Sequence, residues 1–373
     1  MSILQAASNS IAGRAALVTL AACGSVRSSS GTNGPDAAGP DAVATDGPAA
    51  DAVTAGVEPI HFIGRFDHSD PAAPTFEWSG SAIWTRFSGT AISVELDGAA
   101  NDFEIELDGA RQPVLEHPDG DHTHVLASGL APGEHDLKLT RRTEAFMATS
   151  TFRGFPEATL VPTAPPARLI EMVGDSITCG YGITGAGPGC GFSRQTEAET
   201  HAYGALAAAQ LGAAHHAICW SGIGVFRNYN DQPGMLMPER YGLTLPNEQA
   251  SPWAFTTTPQ VVVMNLGTND FSVGVDPGDK YVNAMIAFIA QIRGHYPAVP
   301  IVLTTSPMLG GDPHTAELHD LMTAAASDPD TRVLDLPVQD AADGYGCDYH
   351  PSDRTAQKMA DRLQVALHDL LGW

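Results

Sequence analysis

Positive charge is what this chain of 373 residues most lacks: Lys and Arg total 19 against 43 Asp and Glu, a formal net charge of −24. Nucleic acids and anionic membranes are polyanions that so acidic a surface repels, so neither is the main partner. Long apolar runs are also missing. The run at 15–22 falls far short of the ~20 residues a spanning helix needs, and mean hydropathy is −0.07, which excludes a membrane bundle. Cysteines number five, with no Cys-x-x-Cys and no histidine pair at helical spacing beside one, so the spacing of a zinc site is absent. The expectation is of no metal and no other cofactor. Aromatics at 7% and charged residues at 17% are too ordinary to point to a function.

The length suggests two domains and an extra segment, enough chain to bury a core without staples. The extra segment lies at the start. Arg14 precedes the short apolar run, and Leu20-Ala21-Ala22-Cys23-Gly24 follows. That string resembles a bacterial lipobox, which makes 1–23 a lipoprotein-type signal peptide and Cys23 the lipidated mature N-terminus. Residues 24–57 are mostly Gly, Pro, Ala, Ser and Asp, with Gly34-Pro35-Asp36-Ala37 repeated at Gly39-Pro40-Asp41-Ala42. Almost nothing large and apolar is there to bury, so a disordered linker that would tether a folded body is expected. The expected location is outside the cytoplasm: anchored on the bacterial surface or in the periplasm, otherwise secreted, with membrane contact only through Cys23. Cys179, Cys190, Cys219 and Cys347 then allow one or two disulfides of open connectivity.

Two patterns divide the rest. Across 58–155 short strands are predicted at 60–66, 81–87, 91–96, 102–107, 124–126 and 135–140, separated by Gly- or Pro-bearing turns such as Ser88-Gly89-Thr90 and Ala131-Pro132-Gly133. This spacing predicts a β-sandwich. Residues 156–167, with Pro156, Pro162, Pro165 and Pro166, read as a stiff connector. Over 168–373 the apolar runs 169–173, 217–220, 261–266, 301–305 and 333–336 alternate with helical patterns at 201–211, 281–296, 315–326 and 353–371. Alternation of this kind predicts an α/β domain, a parallel sheet covered by helices on both faces.

Chemistry in such sheets sits at the carboxyl ends of the strands. After the first run comes Gly174-Asp175-Ser176, a serine on a tight turn; after the second, Ser221-Gly222-Ile223-Gly224. After the third comes Gly267-Thr268-Asn269-Asp270, and after the last, Gly346-Cys347-Asp348-Tyr349-His350-Pro351. Singly, each has a plain structural reading: helix cap, turn glycine, cap, surface histidine. Together, a serine, a glycine N–H, an asparagine amide and a histidine are the set that acyl transfer needs.

At these residues the chain resembles the SGNH hydrolases. The longer strings Gly174-Asp175-Ser176-Ile177-Thr178-Cys179-Gly180-Tyr181-Gly182, Asn265-Leu266-Gly267-Thr268-Asn269-Asp270-Phe271 and Gly346-Cys347-Asp348-Tyr349-His350-Pro351 look like the family-two carbohydrate esterases. That resemblance, spanning about 58–373, implies a flavodoxin-like SGNH domain behind a jelly-roll-like β-sandwich. It implies metal-free removal of acetyl groups from xylan and related polysaccharides. Carried onto this chain, Ser176 is the nucleophile and His350 the general base. The N–H groups of Ser176 and Gly222, with Asn269, form the oxyanion hole. The wider pattern has an Asp three residues before the histidine; here that position is Cys347, and Asp348 is expected to orient the ring. Tyr229, in the loop after the second run, is the candidate for stacking on a sugar. Alternatives are a lipase, thioesterase or peptidoglycan O-acetylesterase on the same fold, or a non-catalytic carbohydrate-binding surface lipoprotein.

Overall fold

The computed structural model describes residues 56–120 and 122–373. The signal peptide expected at 1–23, with Cys23, and all but the end of the linker expected at 24–57 lie outside the described residues.

The first half is one antiparallel sheet of nine strands. They are β1 (Ile60–Ile63), β2 (Thr75–Phe76), β3 (Ala82–Asp97), β4 (Asp102–Leu107), β5 (Ala110–Arg111), β6 (Leu115–Glu116), β7 (Thr123–Arg141), β8 (Ser150–Gly154) and β9 (Thr159–Val161). The path runs β2-β8-β3-β7-β4-β5, with β1 and β9 on β3 and β6 on β4. The expectation of separate short strands is corrected here. Segments 81–87 and 91–96 are two halves of β3, and 124–126 and 135–140 are two halves of β7. Gly89 faces Gly133 and Ala91 faces Ser128, so residues 129–132 bulge opposite Thr90. Gly and Pro at these positions thus mark a shared bulge that bends two long strands, not chain reversals. The bent sheet wraps a core that includes Phe76, Phe87, Val94, Leu137 and Phe152. The proline-rich segment 156–167 supplies β9, which pairs with Arg86–Ser88 of β3.

The second half is a five-stranded parallel sheet: β10 (Leu169–Gly174), β11 (Ala214–Cys219), β12 (Val261–Asn265), β13 (Ile301–Thr304) and β14 (Thr331–Leu334). Its order, β11-β10-β12-β13-β14, is the flavodoxin-like 2-1-3-4-5. Around it lie α1 (Ser176–Cys179), α2 (Tyr203–Gln210), α3 (Met237–Arg240), α4 (Asp279–His295), α5 (Asp312–Ala325) and α6 (Asp353–Leu371). The last helix has the bounds expected of it, capped by Ser352 at one end and by left-handed Gly372 at the other. Strand β11 starts at Ala214, not Ala217, because His215 and His216 hid it. His215 pairs with Glu199, while His216 is buried against Glu171 and burial pushes it down to about 3.

The two halves share a core. Trp78, before β3, is fully buried among Val173, Ile218 and Tyr241, and its indole N–H donates to the Leu243 carbonyl at 3.2 Å. Arg65 is equally buried, 3.6 Å from Glu171 and flanked by the rings of Tyr241, Trp253 and Phe255. A lone buried cation would be costly, so the carboxylate and rings together hold it there.

Candidate active site

Strand register assembles the site. Gly174, the last residue of β10, is paired with Cys219 of β11 and Asn265 of β12. The loops leaving these three strands therefore emerge side by side. A Cβ at 174 would collide with Thr178 Oγ1 and the Asn265 carbonyl, so only glycine lets β10 turn directly into α1. Asp175 caps that short helix, its Oδ1 accepting from the Ile177 N–H at 3.0 Å, and Gly180 closes it in the left-handed conformation. Ser176 is thereby held at the first position of α1, 5% exposed.

The Ser176 hydroxyl donates to His350 Nε2 at 2.8 Å. On the other side of the ring, Nδ1 donates to the Cys347 carbonyl at 3.1 Å. The tautomer follows from that pairing: a carbonyl only accepts, so Nδ1 carries the proton and Nε2 is free to take one. Tyr181 stacks on the imidazole with ring centroids 4.2 Å apart. Burial holds His350 below its ordinary value, partly offset by the Cys347 and Asp348 carbonyls and by the charge of Asp348. The ring is therefore a neutral base at pH 7.

Asp348 is not where the sequence put it. Its carboxylate accepts from the Tyr181 hydroxyl at 2.7 Å, and it is backbone carbonyls that face His350. The cause is local: Asp348 and Tyr349 are both left-handed, with φ of 50 and 62. That turn swings the carboxylate aside. Two non-glycine residues in this region are strained, by about 1–3 kcal/mol each, and persist only where the surroundings insist. Here the Cys190–Cys347 disulfide insists, together with the Asp348 N–H on the Cys190 carbonyl and the Cys347 N–H on the Gly182 carbonyl, both at 2.9 Å. The second bridge, Cys179–Cys219, ties the end of α1 to the end of β11.

Gly222 is left-handed, φ 79, and the Tyr229 N–H donates to its carbonyl at 2.8 Å. The N–H groups of Ser176 and Gly222 donate to no other described residue. Asn269 is buried, and its amide donates to the Ile223 carbonyl at 2.8 Å and, less closely, to Asp175 Oδ2 at 3.2 Å. Burial pushes Asp175 up to about 7. Both Asn269 amide hydrogens are engaged, the longer bond going to Asp175. A cleft of 590 Å³ is lined by all six candidates: Ser176, Gly222, Tyr229, Asn269, Asp348 and His350. Among the described residues no group of three or more His, Cys, Asp or Glu is placed to hold a metal ion.

Three residues in or behind the cleft carried no role in the sequence reading. Tyr181 lay inside the quoted glycine-rich string but carried no role. Tyr349 lines the cleft at 60% exposure, and a tyrosine beside the histidine was its only mark. Glu144, from the β domain, lies behind the cleft and accepts from the Ser221 N–H at 2.6 Å, a contact that nothing in the sequence signals.

A serine–histidine pair and unengaged amides at the switch point of a 2-1-3-4-5 sheet define an SGNH-type hydrolase. Residues 172–358 match the GDSL-like Lipase/Acylhydrolase family, and 62–166 match the family described as Carbohydrate esterase 2 N-terminal. A solved family two carbohydrate esterase from Clostridium thermocellum, in complex with cellohexaose, is 38% identical with TM-score 0.80, covering 84% of this chain and 99% of that one. The chain belongs to the family-two carbohydrate esterases. It is also 39% identical over 324 residues to the "Cellulase/esterase CelE" of Acetivibrio thermocellus, covering 84% of this chain but only 40% of that protein's length. An "Acetylxylan esterase / glucomannan deacetylase" of Cellvibrio japonicus is 28% identical over 84% of this chain and 92% of its own.

Proposed function

We propose that the chain removes O-acetyl groups from polysaccharides of the xylan and glucomannan type through an acyl-enzyme. The observation that carries this reading is the 2.8 Å Ser176–His350 hydrogen bond, with Nδ1 occupied by a carbonyl. Ser176 Oγ attacks the acetyl carbonyl while Nε2 takes its proton. The N–H groups of Ser176 and Gly222, with Asn269, receive the negative charge that forms on oxygen. Collapse expels the sugar hydroxyl, protonated by His350, and water repeats the sequence to release acetate. Exposed Tyr229 and Tyr349 rim the cleft and offer flat faces for sugar rings. The names of the relatives agree with such a substrate. Acetate release from acetylated xylan, acetylated glucomannan and O-acetylated peptidoglycan tests it: the first two are expected to be deacetylated. Release from peptidoglycan alone, or from none of the three, overturns the assignment.

Asp348→Asn should keep kcat within about tenfold of wild type, less than ~1.4 kcal/mol of barrier. Asparagine tolerates the left-handed turn and still accepts from Tyr181. The charge of Asp348 raises His350, so removing it should move the acid limb of kcat/KM to lower pH. A limb displaced upward on p-nitrophenyl acetate would contradict this. Asn269→Ala should raise the barrier by about 2.7–4 kcal/mol, the usual cost of losing one oxyanion donor. A loss seen only in KM would place Asn269 outside the oxyanion hole.

Export and lipid anchoring at Cys23 complete the reading. The lipobox-like string supports it, as do two disulfides, which persist in oxidising compartments. In cells, Cys23→Ser is expected to move the protein from the membrane fraction to the soluble one, and an unchanged distribution would refute the anchor.

A further inference from the structure

A loop of the β domain, residues 143–148, packs behind the cleft against Trp220 and Ser221, the latter a lining residue. Glu144 on that loop is fully buried. Its carboxylate accepts both donors of Ser221: the N–H on Oε2 at 2.6 Å and the hydroxyl on Oε1. Ser221 immediately precedes Gly222, so the peptide joining them carries the Gly222 N–H. With Ser221 held at its nitrogen and its hydroxyl, that peptide keeps one soft rotation. The Tyr229 N–H on the Gly222 carbonyl restrains the far side.

Glu144 is itself immobilised. Arg141, fully buried, donates to the Glu144 carbonyl at 2.9 Å, and its other N–H groups reach the carbonyls of Phe76, Thr143 and Ala148 and the Ser150 hydroxyl. The Glu144 N–H donates to Glu197 Oε2 at 3.2 Å. Phe146, two residues on, packs on Trp220 at 5.7 Å and on Phe192 at 5.4 Å. Burial pushes both glutamates up. Glu197 is raised well above its ordinary value because Glu144's charge and hydrogen bond add to its burial, whereas hydrogen bonds from Glu197 and then Ser221 pull Glu144 back. Both Glu144 oxygens face donors of Ser221, while Glu197 engages the Glu144 N–H.

Apolar residues would join the two domains without the cost of burying a carboxylate. What the carboxylate adds is direction, two hydrogen bonds aimed at one residue. We propose that Glu144 is a positioning residue for ester hydrolysis: from the β domain it clamps Ser221 and so aims the Gly222 N–H at the oxyanion. The β domain is then a working part of the active site and not an accessory module. This rests on the serine-esterase reading, with Gly222 as an oxyanion donor.

The test compares Glu144→Ala, Glu144→Gln and Ser221→Ala with wild type on p-nitrophenyl acetate. A boronic acid, whose tetrahedral adduct on serine places an oxygen in the oxyanion hole, serves as the probe of that hole. Glu144→Ala should lower kcat about ten- to a hundredfold, short of deleting a donor outright, with KM nearly unchanged. Ser221→Ala, which removes one of the two bonds, should lower kcat by at least about threefold. Boronic acid affinity should weaken in step with kcat, and Glu144→Gln, which keeps shape and one acceptor, should recover most of both. Adding Ser221→Ala to Glu144→Ala should cost little more. Wild-type kcat and boronic acid affinity in folded Glu144→Ala and Ser221→Ala would refute the clamp, as would a loss confined to KM or to melting temperature. If Glu144→Ala does not fold, Ser221→Ala decides, since it leaves the β domain's own loop intact. No turnover by wild type would instead sink the esterase reading, and the clamp with it.

Discussion

Ser176→Ala is expected to lower kcat for acetyl release by several orders of magnitude while the protein folds and melts as wild type does. The hydroxyl makes a single hydrogen bond, to His350 Nε2, and the serine is 5% exposed at the cleft floor. Removing one oxygen there leaves α1 capped by Asp175 and disturbs no core contact. What disappears is the covalent route. The amides of Ser176 and Gly222 and the Asn269 side chain remain, and such a hole alone sustains a residual acceleration of about 10³–10⁴ over water. The variant should therefore still bind a polysaccharide and stabilise an attacking water slightly, without an acyl-enzyme. Mass spectrometry after mixing with p-nitrophenyl acetate should show no acetyl adduct. Activity above roughly 1% of wild type would exclude Ser176 as nucleophile.

The parallel sheet was legible because its strands are buried on both faces and read as plain apolar runs. Each of the five expected runs overlaps an observed strand, and Ser176, Gly222 and Asn269, just past three strand ends, came together with His350 from the longer loop after the last. Legibility failed where polar residues fill structural roles. His215 and His216 masked the start of β11, since their partners Glu199 and Glu171 are distant or on another strand. Glycine and proline in the β domain looked like turns because a bulge and a reversal use the same residues. The short α1 has no periodicity to read; a cap and a left-handed glycine define it.

The orienting group of His350 shows a different limit. The residue three before the histidine does hold the ring, yet it does so through the Cys347 carbonyl. Every residue type carries a backbone carbonyl, so no side-chain pattern distinguishes this arrangement from one with a carboxylate. Glu144 is a third kind of case. Its 77-residue separation from Ser221 is set by how two domains pack, and neither local composition nor spacing encodes that.

His350→Ala should match Ser176→Ala in kcat, and the double variant should be no worse than either alone. The two groups act as one unit: without Nε2 the serine proton has nowhere to go, and without the serine there is nothing to deprotonate. In another serine hydrolase, losing either member costs about as much as losing the whole set, on the order of 10⁶ in kcat. The deletion should not unfold the loop. The Cys190–Cys347 disulfide and the Gly346 N–H on the residue-350 carbonyl, at 2.8 Å, use no atom of the imidazole. It should leave a ring-sized gap beneath Tyr181, now stacked at 4.2 Å, so added imidazole should restore part of the rate to His350→Ala and none to Ser176→Ala. The decisive comparison is with Asp348→Asn. If a backbone carbonyl holds the ring, the two histidine-loop variants should differ by several orders of magnitude in kcat. A loss in Asp348→Asn equal to that in His350→Ala would make the carboxylate the third catalytic member after all, and the Cys347 carbonyl a bystander.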